Sequence, residues 1–151
     1  MFSAKHGEEK VERVEQTKAL RVWGQLNRIS QKIARAGTER LRPHGLTPAQ
    51  FGMLRRIAQK PDQTQQDLVE QAGVTRGNVS QLLAKLEGDG LVVRVPHANS
   101  NLLRLTPTGR QRLEQLLPDH DAFITEQFAG LSVDEHDQLL NLLGRVERTL
   151  P

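Results

Sequence analysis

The 151-residue chain contains no cysteine. Disulfides, zinc–thiolate sites and cysteine redox sensing are therefore excluded at once. It also lacks any apolar run near the roughly 18–20 residues that a membrane-spanning helix needs. Met1 to Lys10 is polar and charged, so no secretory leader is expected, and a cytoplasmic protein without a membrane partner is. Internal repeats and low-complexity tracts are missing as well. His6, His44, His97, His120 and His136 are scattered without the close pairing of a metal site. The acids beside His120 and His136 are sequence neighbours, which point in different directions on a helix. No metal and no cofactor are expected. With no nucleophile elbow, phosphate-cradling glycine loop or paired histidine and nucleophile, no catalytic residue is assigned and an enzyme is not expected.

What is present is an uneven distribution of charge. The net charge is +3, but residues 18–112 hold 16 Lys/Arg against 6 Asp/Glu, whereas residues 113–151 hold 2 against 8. A basic middle beside an acidic end points to a polyanion partner for one part of the chain and another task for the rest.

Helix start and stop signals divide the chain. Residues 11–41 are expected to form one long helix, with Val22, Leu26, Ile29, Ile33 and Ala36 as a coiled-coil-like seam and Pro43-His44-Gly45 ending it. Thr47-Pro48-Ala49-Gln50 opens a second helix, which Pro61 stops. Thr64 and Asp67 form the next capping box. It begins a short helix with Leu68, Val69 and Ala72 inward, broken at Gly73 by a tight turn needing positive φ. Thr75 caps a fourth helix with Val79, Leu82, Leu83 and Leu86 apolar, ending at Gly88-Asp89-Gly90. Residues 91–95 and 102–105 are β-like runs around Pro96–Asn101, a hairpin with a turn-rich loop. Thr106-Pro107 caps a helix that Pro118 should kink or interrupt, with Leu113, Leu116, Leu117, Phe123, Ile124 and Phe128 as its apolar face. Ser132 and Glu135 open a last helix bearing Leu139, Leu142, Leu143, Val146 and Leu150.

Residues 64–87 have the spacing of a helix-turn-helix. In its second helix the apolar residues can anchor in a core while Arg76, Asn78, Gln81 and Lys85 stay free. Arg can bond two guanine acceptors, and Asn or Gln can bond adenine in the same bidentate way. Residues near the start of that helix normally reach base edges, and Gly77 there keeps the approach uncrowded. The hairpin would be a wing with Arg94 and Arg104 as its cations, and Thr64, Gln65 and Gln66 at a helix start suit a phosphate contact. Thr75, Ser80, Asn99 and Asn101 complete the expected DNA-binding set. A surface helix with polar residues looks similar in isolation; the ordered combination with a hairpin and a basic balance is the stronger signal.

From Leu46-Thr47-Pro48-Ala49-Gln50-Phe51, through Val74-Thr75-Arg76-Gly77-Asn78-Val79-Ser80 and Leu86-Glu87-Gly88-Asp89-Gly90-Leu91-Val92, to Leu105-Thr106-Pro107-Thr108-Gly109, the sequence resembles the MarR family of bacterial transcriptional regulators. The resemblance extends over the flanking helices, including Leu131-Ser132 and Glu135. It implies a mainly α protein with a small β-hairpin wing: a winged helix-turn-helix plus a helical dimerisation lobe. The expected division is a flexible segment 1–10, a dimerisation helix 11–42, a DNA-binding lobe 46–106 and C-terminal dimerisation helices 107–151. The implied function is that of a homodimeric regulator, expected to be a repressor, on a near-palindromic operator in double-stranded DNA. Many members release DNA on binding a small phenolic or aromatic acid between the lobes. For such an effector Trp23, the only Trp, and Arg28, His44, Met53 and Arg56 are the expected lining. One departure stands out: the family's wing usually carries an Asp-Arg-Arg triplet, whereas this tip is Ala98-Asn99-Ser100-Asn101, on a wing about four residues shorter than usual. That implies weaker or differently placed minor-groove binding, with more of the work on Arg76, Asn78, Gln81 and the phosphate contacts. The alternative is a winged-helix dimer acting as a protein-interaction module with weakened DNA binding.

Overall fold

The computed structural model describes residues 2–72 and 74–150, with side chains described for 13–71 and 74–150. The tight turn expected at Gly73 lies outside the described residues. Two compact units divide the chain, residues 1–52 and 53–151.

The first unit is dominated by α1, Phe2–Leu41. Its helical backbone takes in residues 2–10, expected to be a flexible lead; Ala4, Lys5, Glu8, Glu9 and Lys10 are all good helix formers, and no proline intervenes. Along the expected seam on α1, Val22 and Ile29 remain exposed, while Leu26, Ile33 and Ala36 are half-buried. A 3-10 turn at Arg42–His44 follows, and Gly45 takes φ 68°. At the start of α2, Pro48–Gln59, the expected box is reciprocal: the Thr47 N–H donates to Gln50 Oε1 at 2.9 Å, and the Gln50 N–H donates to Thr47 Oγ1 at 3.2 Å.

In the second unit the order is β1 (Gln63–Thr64), α3 (Gln65–Ala72), α4 (Arg76–Gly88), β2 (Val92–His97), β3 (Ser100–Leu105), α5 (Pro107–Gln127) and α6 (Val133–Glu147). The sheet is antiparallel in the order β1-β3-β2. Two expectations are corrected here. The sheet has a third strand, because Gln63 and Thr64 pair with Leu103 and Leu102. The turn-rich segment 96–101 is mostly strand: Pro96 pairs with Asn101 and His97 with Ser100, leaving a two-residue turn at Ala98-Asn99 with Ala98 at φ 48°. Turn-forming composition gave way to ladder pairing once a two-residue connection could close.

The core of this unit draws on α2, α3, α4 and β3: Leu54, Leu68, Val79, Leu83, Leu86 and Leu103 have no exposure. The end of α4 has the hydrogen-bond pattern of a Schellman motif, with Leu91 N–H to Leu86 O at 2.9 Å and Gly90 N–H to Glu87 O at 3.0 Å. Gly90 supplies the left-handed residue at φ 69°. Pro118 does not interrupt α5. The missing N–H is tolerated because the helix is anchored on either side by buried Leu113, Leu116 and Phe123. A full capping box at Ser132 and Glu135 starts α6, which buries none of its residues. Among the described residues, no helix is long and apolar enough to cross a membrane.

Candidate nucleic-acid interface

The site grows from the start of α4. Thr75 is extended at φ −67°, ψ 152°, and its hydroxyl accepts the Asn78 N–H at 3.3 Å. That cap fixes where the first turn begins. Val79, Leu83 and Leu86 then face the core, while Asn78, Gln81 and Lys85 lie on an exposed stripe beside Gly77, Ala84 and Gly88. Polar arms alternating with residues of little or no side chain suit close approach to a groove floor. Lys85 is paired with Asp89 at 3.0 Å, but the side chains of Asn78 and Gln81 have no hydrogen-bond partner among the described residues.

Arg76 points back towards α3, where Gln66 Oε1 accepts from its Nη2 at 2.5 Å. At the start of α3 the Asp67 carboxylate accepts the Thr64 N–H at 2.7 Å and the Thr64 hydroxyl at 2.8 Å. The backbone N–H of Thr64 first, and its hydroxyl second, hold the Asp67 carboxyl below its usual range. That helix end already holds a carboxylate, which offsets the pull of its dipole on a phosphate.

Between α3 and the wing is a cleft of about 470 Å³. Seven expected residues line it: Thr64, Gln65, Gln66, Arg76, Arg94, Asn99 and Asn101. Ser100 lines it too, and sequence reasoning did not assign it. Thr75, Asn78, Ser80, Gln81, Lys85 and Arg104 are not part of this cleft. Both wing cations are engaged within the chain. Arg94 donates from Nε to Glu87 at 2.8 Å and from Nη1 to Gln65 at 3.1 Å. Arg104 pairs with Asp62 at 2.5 Å, and that contact raises the guanidinium's pKa.

The same architecture recurs in known proteins. A MarR family model matches residues 44–100. An uncharacterized HTH-type transcriptional regulator of Bacillus cereus (strain ATCC 10987 / NRS 248) is 32% identical over 84% of this chain and 87% of its own length. YkoM, an uncharacterized HTH-type regulator of Bacillus subtilis, is 30% identical over 96% of this chain and 93% of its own. The chain belongs to the MarR family. Among solved structures, an E. coli MarR variant complexed with operator DNA superposes at a TM-score of 0.77 and 28% identity, covering 89% of this chain and 96% of that one.

As a MarR-family chain it is a DNA-binding regulator of transcription with a winged helix-turn-helix. The MarR-type wing here is the tight hairpin described above, uncharged from Ala98 to Asn101. The five residues expected around an effector are placed as follows. Trp23 is 63% exposed on α1, Arg28 on the same helix donates to Gln25 at 2.6 Å, and His44 is exposed in the 3-10 turn. Met53 is buried and Arg56 half-buried on α2.

Proposed function

We propose that this MarR-family protein is a homodimeric repressor that reads a near-palindromic operator with the exposed stripe of α4. One observation carries the reading: the inner face of α4 is fully buried while Asn78 and Gln81 are exposed and unpaired among the described residues. Those two amides can each bond adenine in bidentate fashion, and Arg76 can exchange Gln66 for a guanine edge or a phosphate. Gln66, Asn99 and Asn101 are hydrogen-bonding groups for the flanking backbone, whereas the Gln65 amide is held within the fold by Arg94 and Ser80. Thr64 lines the cleft beside them, Thr75 caps α4 and Ser80 ties it to Gln65, Lys85 adds charge, and Arg94 and Arg104 contribute less because carboxylates already hold them.

Two-fold binding needs a second copy, with recognition helices roughly 34 Å apart. Exposed apolar side chains support it in each unit separately: Val22 and Trp23 on α1, and Leu140, Leu142, Val146 and Leu150 near the C-terminus. Release by a small aromatic or phenolic ligand completes the reading and is supported by family resemblance. The test is fluorescence anisotropy with duplex flanking the protein's own gene against a scrambled duplex, at two salt concentrations. Selective binding with a steep salt slope, lost in Arg76→Ala and reduced by a phenolic acid, is expected. Equal, weak binding to both duplexes would overturn it. Light scattering on the free protein checks the dimer, and transcription from a template carrying that duplex checks repression.

A further inference from the structure

A chain of polar contacts closes around α4 without using its exposed stripe. Glu87 accepts from Arg94 Nε at 2.8 Å, and Arg94 Nη1 reaches Gln65 Oε1 at 3.1 Å. The Gln65 amide nitrogen in turn donates to Ser80 Oγ at 2.5 Å. Ser80 and Glu87 are seven residues apart on α4, two helical turns, so they lie on one side of it. Asn78, Gln81 and Lys85 lie more than roughly 100° round the helix from that side. The contacts therefore link α4 to β2, β2 to α3, and α3 back to α4.

We propose that Glu87 is a positioning residue for DNA recognition: through Arg94, Gln65 and Ser80 it sets the orientation of α4 relative to the wing and α3. The proposal rests on the reading of α4 as the DNA-binding helix. Geometry distinguishes it from a simple surface pair. The Arg94 fork is shared between two elements, and Gln65 uses both ends of its amide, its oxygen to the wing and its nitrogen to α4. Ion pairs as exposed as this one, with side chains 33% and 29% exposed, add little stability by themselves. What they add is direction. Gln65, Ser80 and Arg94, each expected from sequence to contact DNA, are bonded to one another within the fold.

The charge of Glu87 makes the idea testable, because two physical effects have opposite signs. Coulomb's law alone says that removing an anion from a DNA-facing unit strengthens binding to phosphates. A positioning role says that the same removal weakens selective binding. The experiment measures anisotropy of the full-length protein with the own-gene and scrambled duplexes, for Glu87→Ala, Glu87→Gln, Arg94→Ala and the double Ala variant. Glu87→Ala should lose about tenfold in selectivity between the duplexes, the size expected for one charge-assisted hydrogen bond. Glu87→Gln, which keeps an acceptor oxygen, should recover most of it. The double variant should be no worse than Arg94→Ala. Thermal unfolding should change little, and a merely structural role would lower binding to both duplexes without changing their ratio. Tighter or unchanged selective binding by Glu87→Ala, or additive losses in the double variant, would overturn the proposal. Hydrogen exchange without DNA provides a separate arm: amides of β2 should exchange faster in Glu87→Ala, and unchanged exchange would also refute it. If the parent protein fails to distinguish the duplexes while this arm behaves as expected, the reading of α4 fails and the brace stands.

Discussion

Gly109 lies in the first turn of α5, where the helix backbone comes closest to the strand entry at Leu91. A Cβ built on it would sit 2.0 Å from the Leu91 carbonyl oxygen and 2.8 Å from the carbonyl carbon. Non-bonded heavy atoms meet at about 3.5 Å, so Gly109→Ala must open the gap by about 1.5 Å. The obstacle is backbone, so no rotamer change relieves it. The same oxygen accepts the Thr106 N–H at 3.1 Å, and the Thr106 hydroxyl is tied to Gly90 O at 2.6 Å. Overpacking costs about 1–3 kcal/mol, loss of the Thr106 bond adds about 1, and the helix preference of Ala over Gly returns at most about 1. A net loss of about 1–3 kcal/mol remains, which at about 2–4 °C per kcal/mol lowers Tm by about 2–12 °C. Far-ultraviolet circular dichroism on heating, at one fixed protein concentration because dimers couple Tm to concentration, measures it. An unchanged or raised Tm would refute the close approach of α5 to Leu91.

Gly77→Ala makes the opposite prediction, since its Cβ would meet nothing nearer than Thr75 Oγ1 at 4.0 Å. It should stabilise the fold by up to about 1 kcal/mol yet weaken binding to the own-gene duplex, and gaining both would show that α4 does not approach DNA closely there. Ala98→Gly relieves a side chain held at φ 48° and should stabilise the fold by about 0.5–1 kcal/mol, read as a higher Tm; a lower Tm would mean that the turn does not need positive φ. Asp67 and Glu135 both have lowered carboxyl pKa values, each chiefly through a cap backbone N–H, from Thr64 and Ser132. A depressed folded pKa stabilises above the unfolded value, near 4, and that stabilisation is lost as pH falls through the folded one. In Asp67→Asn and Glu135→Gln, Tm should therefore lie below the parent's between about pH 6 and 8, with the gap closing as pH falls below about 4, so that the acid side of the curve flattens; equal Tm values at neutral pH would refute it. In the wing, Asn99→Ala and Asn101→Ala should each weaken own-gene binding less than tenfold, as an uncharged tip implies; a larger loss would restore the wing to a leading role.

The local signals were legible in the sequence wherever the partner lies within a turn of helix. The boxes at Thr47 and Gln50, Thr64 and Asp67, and Ser132 and Glu135 all join residues three apart, and all formed. Of the apolar face expected from helical spacing on α4, Val79, Leu83 and Leu86 are buried, whereas Leu82 is half-buried. What was not legible depends on distant pairing. Gln63 and Thr64 are a strand only because Leu103 and Leu102, far along the chain, lie opposite them. Gln63 is also a buried polar residue, its amide nitrogen donating to the carbonyls of Arg56 and Lys60 at the end of α2, and composition gave no hint of that. The length of the wing strands was hidden for the same reason. At the interface, residue type marked Asn78 and Gln81 as candidate readers, but could not distinguish them from Arg94 and Gln65, whose polar atoms are already used inside the fold. Glu87 was invisible as a site residue because an acid is not expected beside DNA.

The most direct test of the account is the selectivity ratio of the Asn78→Ala/Gln81→Ala double variant between the own-gene and scrambled duplexes, at one salt concentration. Each bidentate amide accounts for about 1–3 kcal/mol of base discrimination, so the double variant should lose most of the ratio while its Tm stays at the parent value. A double variant that folds normally and discriminates as well as the parent would contradict the claim that the exposed stripe of α4 reads DNA.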